Sequence, residues 1–294
     1  MGCVILEAKK VKFNANSTFI TLLLALGSVI MLAPFLWMIL TAFQTFQESM
    51  AIPIQWIPRG LFVEDGVFSL SRSLENFQEV LGRMNFLRFF ANTITVAVTV
   101  TVMQLLFCSM AAYGFARIEF PGRNVIFIVL LSMMMIPTQM TLIPSFILLS
   151  NFGWINTLYA LTIPHFFSVF GTFFLRQYFL TLPKDLEEAA TIDGASKFRI
   201  YAQIFLPLSK AALSALGVLT VLWAWNEFMW PLVMANRESV RVLSVGIATL
   251  LGQHVTRNNW LMAASLLATT PMIIIFILFQ KQFVEGIAIT GIKG

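Results

Sequence analysis

Leu182-Pro183-Lys184-Asp185-Leu186-Glu187-Glu188-Ala189-Ala190-Thr191-Ile192-Asp193-Gly194-Ala195-Ser196-Lys197, continuing through Phe198 to Ile204, Leu206 and Pro207, is a polar stretch set between two long apolar runs. Pro183 suits a first helical turn, where its absent N–H is not needed, and Asp185, Glu187 and Glu188 favour the positive end of a helix dipole. Asp193-Gly194 can end that helix in a turn, because glycine takes a positive φ at little steric cost. Helical spacing resumes at Ala195 and holds to Pro207. The stretch predicts two short helices joined at a glycine, lying on a membrane surface because apolar runs bracket them.

The apolar runs decide the fold class. Of 294 residues, 58% are hydrophobic and 11% charged, against about 25% charged in soluble domains. The chain reads as an all-α integral membrane protein with six transmembrane helices at roughly 18–41, 89–113, 125–149, 158–180, 211–234 and 261–283. Each can cross about 30 Å of hydrocarbon at about 1.5 Å per residue. Residues 1–17 form an N-terminal segment, 18–284 the transmembrane domain and 285–294 a tail. An even number of spans puts both termini on one side. With the termini inside, twelve Lys and Arg (Lys9, Lys10, Lys12, Arg117, Arg123, Arg176, Lys184, Lys197, Arg199, Lys210, Lys281, Lys293) face the cytoplasm and seven arginines face out, as the positive-inside rule requires. This orientation makes 182–207 cytoplasmic and 44–88 an extracytoplasmic loop. That loop carries Leu70, Leu74, Phe77 and Leu81 at near-helical spacing, and reads equally as a lid or as a connector.

Polar residues inside the spans are the candidates for function. The third span holds Pro137 and Pro144 with Thr138, Gln139 and Thr141 between them, the composition of a kinked helix whose freed carbonyls need polar partners. His165 follows Pro164 in the fourth span, where it either meets a solute or is hydrogen-bonded within the bundle. The fifth span begins with Ala211, Ser214, Ala215 and Gly217, small residues suited to close helix packing. It ends with Trp223, Trp225, Asn226, Glu227, Trp230 and Pro231. Glu227 either anchors at the interface or lines a pathway with Asn226. His165, Trp225, Asn226 and Glu227 are therefore the candidate substrate-pathway residues.

Other functions are excluded or unsupported. The net charge of +5 is spread over loops with no basic face for nucleic acid. Cys3 and Cys108 cannot build a disulfide framework, and neither a metal motif nor a catalytic elbow is present in the sequence. The string Gly286 to Gly291 is followed by Ile292 where a phosphate-binding loop needs lysine, so this chain is expected to hydrolyse no ATP and to hold no cofactor. The basic N-terminus leads into a run too long for a signal-peptide core, which reads as a retained first span.

Glu188-Ala189-Ala190, three residues, Gly194, nine residues, Ile204, one residue and Leu206-Pro207 resembles the EAA loop of permease subunits in binding-protein-dependent ABC importers. Further strings are similar to the carbohydrate-uptake branch of that family: Ile136-Pro137 to Pro144, Gly153 with Asn156-Thr157, Trp225-Asn226-Glu227-Phe228, and Phe283-Val284-Glu285-Gly286 to Lys293-Gly294. Within that branch the chain looks like the maltose-type second permease. The resemblance implies a heterodimeric pore with a second, different permease, two cytoplasmic ATPase subunits that bind ATP and Mg, and an extracytoplasmic solute-binding protein delivering a sugar. It also implies a bacterial or archaeal cell (inner) membrane. By the same resemblance, Glu187, Glu188, Ala189, Ala190, Asp193, Gly194, Ile204, Leu206 and Pro207 couple the spans to the ATPase. Gly194 would set the helix angle, the alanines allow close approach, and Glu188 and Asp193 offer charge. The alternatives are an ABC importer for another polar solute, such as an amino acid or a glycerol phosphate, and a secondary carrier. Carriers usually carry ionisable relays and internal repeats, and neither is evident here.

Overall fold

The computed structural model describes residues 15–58, 74–251 and 257–291. Most of the 1–17 segment, the centre of the 44–88 loop with Leu70, and the end of the tail with Lys293 lie outside the described residues. All regular structure among the described residues is helical. Four helices are long and apolar enough to cross a membrane: Phe19–Ala42, Phe86–Arg117, Leu158–Thr181 and Asn258–Gln280. Two bent pairs, Arg123–Met135 with Thr138–Asn151 and Lys197–Leu208 with Lys210–Asn226, bring the number to six when each is counted as one span. The chain is a multi-pass α-helical membrane protein.

Two compact units make up the chain, Met1–Phe77 with Asn258–Leu266, and Gln78–Arg257 with Leu267–Gly294. In the first, the helix Ala15–Ala42 leaves Phe19, Leu22, Leu26, Ile30 and Leu36 exposed on all its sides. A helix apolar all round is built to meet lipid or another apolar surface. Its C-terminal end is tied down by Asn76, whose Nδ2 donates to the carbonyls of Ala42 and Gln44 at 2.8 Å each, while Asn259 donates to Asn76 Oδ1 at 2.8 Å. Thr45 and Glu48 form a reciprocal cap on the short helix Phe46–Ser49.

The second unit is built around Phe86–Arg117, against which Val169–Thr181 and Lys210–Asn226 pack. Cys108, Ala112, Leu175, Phe179, Ala212 and Leu216 are buried together there. Of the small residues that open the fifth span, Ala215 and Gly217 are buried and Ala211 and Ser214 half-buried, while Ala212 between them joins this core.

Three spans are interrupted, and each interruption has a local cause. Pro137 holds Ile136 out of the helical region (φ −88, ψ 117), so the third span ends in a single turn, Met133–Met135, and restarts at Thr138 after a bend of 100°. The fourth span runs Leu158–Thr162, tightens over Ile163–His165 and restarts at Val169, where the Ser168 side chain accepts from Gly171 N–H at 3.1 Å. In the fifth, Pro231 would collide with the carbonyl four residues back, that of Glu227. The helix accordingly stops at Asn226, Glu227 is extended (φ −62, ψ 128), and helix resumes over Met229–Met234. The third span, expected as one kinked helix over 125–149, is thus broken, and so are the spans expected at 158–180 and 211–234. The last helix continues to Gly291, past residue 283.

Candidate functional site

The polar stretch folds as its residues dictate. The helix Asp185–Ile192 ends on Gly194 at φ +78, with Ala195 N–H bonded to Ala190 O at 2.9 Å and Gly194 N–H to Thr191 O at 3.0 Å. This pair of bonds is a Schellman closure, which satisfies carbonyls the helix leaves over. Ser196 then caps the helix Lys197–Ile200, accepting from Arg199 N–H at 3.3 Å. That helix continues as one wide π turn over Tyr201–Phe205, in which Leu206 N–H reaches Tyr201 O. Pro207 explains the widening, because it has no N–H to give the carbonyl four residues back. An ion pair of 2.8 Å from Lys197 to Glu187 bridges the two helices.

One face of this helix pair is rooted in the bundle. Ile200, Tyr201 and Phe205 are buried with Tyr113 and Phe179, and Ala190, Ile204 and Leu206 pack at the margin. Tyr201 Oη and Ser109 Oγ share a hydrogen bond of 2.7 Å. Arg117 donates from one nitrogen to the carbonyls of Phe179 (2.6 Å) and Leu182 (2.5 Å), capping the preceding span, and lies 5.0 Å from the Phe205 ring centre. The opposite face carries Glu188, Ala189, Asp193 and Pro207, all exposed, beside Ile192 and Phe198, which are 88% and 67% exposed. Of the candidate residues here, Glu187 is engaged within the pair, and Ile204 and Leu206 serve the root.

The interruptions of the third, fourth and fifth spans meet around a cavity of about 530 Å³. Thr138, Gln139, Thr141 and Ser145 line it from the third span, Pro164 and His165 from the fourth, and Trp223, Glu227, Met229 and Trp230 from the fifth. The His165 ring is held between Trp223 and Trp230, 4.9 Å from each and edge-on to both. Its carbonyl accepts from Gln104 Nε2 at 2.9 Å, and Gln104 Oε1 accepts from the Thr220 hydroxyl at 2.9 Å. Glu227 Oε1 accepts from Trp230 N–H at 3.1 Å, supplying the acceptor that the broken helix lost.

Two candidate pathway residues turn away from this cavity. Trp225 is buried, donates to Ala268 O at 3.2 Å and meets Phe90 edge-on. Asn226 donates back to Leu222 O at 2.8 Å and does not line the cavity. His165 and Glu227 do line it, joined by Trp223 and Trp230. Gln104 went unremarked in the sequence, although an amide in mid-span is a signal that a helix partner is needed.

Broken apolar helices around a cavity lined by polar and aromatic side chains, with a rooted helix pair at one end, define a membrane permease component. The chain belongs to the family of binding-protein-dependent transport system inner membrane components, which it matches over residues 104–289. ATP hydrolysis in this family resides in partner subunits. Among curated relatives, the trehalose/maltose transport system permease protein MalG of Thermococcus litoralis is 36% identical over 93% of this chain and 97% of its own. The arabinooligosaccharides transport system permease protein AraQ of Bacillus subtilis is 31% identical over 96% and 98%. The sn-glycerol-3-phosphate transport system permease protein UgpE of Brucella abortus is 30% identical over 92% and 95%. The fold is that of a chain in a crystal structure of a bacterial ABC transporter involved in the import of the acidic polysaccharide alginate (TM-score 0.78, 22% identity, 94% of this chain and 100% of that one).

Proposed function

We propose that the chain is one half of a heterodimeric pore in an ATP-driven importer of a sugar or sugar-like solute, coupled to cytoplasmic ATPase subunits through residues 182–207. The observation that carries the reading is a two-faced helix pair. Its buried face, Ile200, Tyr201 and Phe205, is continuous with the core of the spans, while Glu188, Ala189, Ile192, Asp193 and Phe198 are offered outward. Such an element, gripped by a partner that closes on ATP, moves the spans with it as a lever. An extracytoplasmic binding protein delivers the solute on the opposite side. Relatives named for arabinooligosaccharide and for trehalose/maltose transport support the sugar assignment. A glycerol phosphate, the solute in the name of another relative, is the second reading.

Orientation is read from the count of basic residues, twelve on the side of 182–207 against seven on the other. Arg117, Arg176 and Lys184 gather at the C-terminal end of Phe86–Arg117, where Arg176 donates to Phe115 O at 3.1 Å. At the other end, Asn85 meets Glu238 at 2.9 Å and Asn92 donates to Arg241 O at 2.9 Å. The first end, with 182–207, is assigned to the cytoplasm, and an even number of spans assigns both termini to the same side. Gly194→Arg in the assembled transporter tests the lever: the backbone at φ +78 strains any side chain and the guanidinium crowds the docking face. ATP-driven uptake is expected to vanish while the spans stay inserted, and uptake at the parent rate refutes the reading.

A further inference from the structure

His165 and Trp223 line a second cavity as well, of about 420 Å³, together with Gln104, Ser168, Leu216 and Thr220. Leu216, Thr220, Trp223 and Glu227 recur every three or four residues, which places them on one helix face. The two cavities are therefore strung along that face, one toward Leu216 and one toward Trp230, with the His165–Trp223 pair as the wall between them.

We propose that this face is a solute path whose waist, His165 with Trp223, binds the ring of an uncharged polyhydroxylated solute, and that its charge turns anions away. The proposal rests on the transport reading above and adds the class of solute and the residues that select it. Aromatic faces suit the C–H face of a sugar ring, while a few fixed polar groups take its hydroxyls. Those groups are present. Glu227 Oε1 is held by Trp230 N–H, leaving Oε2 as an acceptor, and Gln139 brings an amide that both donates and accepts. His165 Nε2 is buried and has no hydrogen-bond partner within the described chain, although its ring is clamped by two tryptophans and its backbone by Gln104. A nitrogen so firmly placed and left unpaired is presented for a ligand.

The charge argument is independent of the ring. Among the described residues no lysine or arginine lines either cavity, and Glu227 is the one carboxylate that does. A phosphate or a uronate entering there meets a like charge in a low-dielectric surround, with no cation to offset it.

The test uses the assembled transporter in proteoliposomes with its solute-binding protein, reading uptake and ATP hydrolysis together. Maltose, maltotriose and arabinotriose are the neutral probes; glycerol 3-phosphate and a mannuronate trisaccharide are the anionic ones. Uptake is expected for at least one neutral probe and for neither anion. Trp223→Ala or His165→Ala should lower it about tenfold or more with ATP hydrolysis retained, whereas Trp223→Phe, which keeps a ring, should preserve most of it. Trp223 is 42% exposed, so its truncation leaves the core intact. Uptake of an anion at a neutral probe's rate, of no neutral probe, or at the parent rate by Trp223→Ala overturns the inference. Anion uptake that Gly194→Arg abolishes would remove this inference and leave the permease reading standing.

Discussion

Gln104→Leu isolates the joint that holds the cavity together. The side chain is 7% exposed, and its two hydrogen bonds of 2.9 Å tie Phe86–Arg117 to the His165 turn and to Thr220 in Lys210–Asn226. Leucine keeps the volume and removes both bonds. Thr220 has a local substitute, since a threonine in a helix can bond the carbonyl four residues back, as Thr93, Thr162 and Thr172 do in this chain. The His165 carbonyl has none, because it lies where the fourth span is interrupted. Leaving a buried carbonyl unpaired costs about 1–3 kcal/mol, while an interhelical bond in a bilayer contributes about 0.6 kcal/mol. The expected loss is about 2 kcal/mol, roughly a 30-fold change in the folded-to-unfolded ratio. Thr220→Val should cost about 0.6 kcal/mol, and the double-mutant cycle should return a coupling of similar size. Equilibrium unfolding of the purified chain in mixed micelles, titrated with SDS, measures all three values. Gln104→Leu within about 0.3 kcal/mol of the parent, or two losses that simply add, would refute the assignment of Gln104 as the joint.

Two further changes probe the frame around the site. In the helix Leu243–Ala248, a methyl added at Gly246 would run into the ring of Phe89, which is 1% exposed. Gly246→Ala should lose about 1–3 kcal/mol, with partial recovery on adding Phe89→Leu. Thermal denaturation of the parent and the two variants reads this, and an unchanged Gly246→Ala midpoint contradicts it. Arg117→Ala removes the donor that holds Phe179 O and Leu182 O. It should speed proteolytic cleavage within 182–207, and Arg117→Lys should restore part of the protection; equal cleavage rates in parent and Arg117→Ala would show that the root lies elsewhere.

The sequence by itself determined the elements whose causes are local. Apolar runs long enough for a bilayer made the spans, and Gly194 between an acidic helix start and a capping Ser196 made the helix pair, because backbone preference and capping act over a few residues. The prolines of the third span announced a kink without saying whether the helix would bend or stop. The restarts in the fourth and fifth spans are local too, since Ser168 and Glu227 each accept from the N–H three residues on. What only tertiary structure decided is which polar residues meet around the cavity, because they come from three separate spans. Trp225 and Asn226 neighbour Glu227 in sequence, but successive residues on a helix point about 100° apart, and it is Trp223, one turn before Glu227, that lines the cavity with it. The partner that fixes His165 is Gln104, sixty-one residues away, and no local preference can choose a contact at that separation; the packing of three helices does.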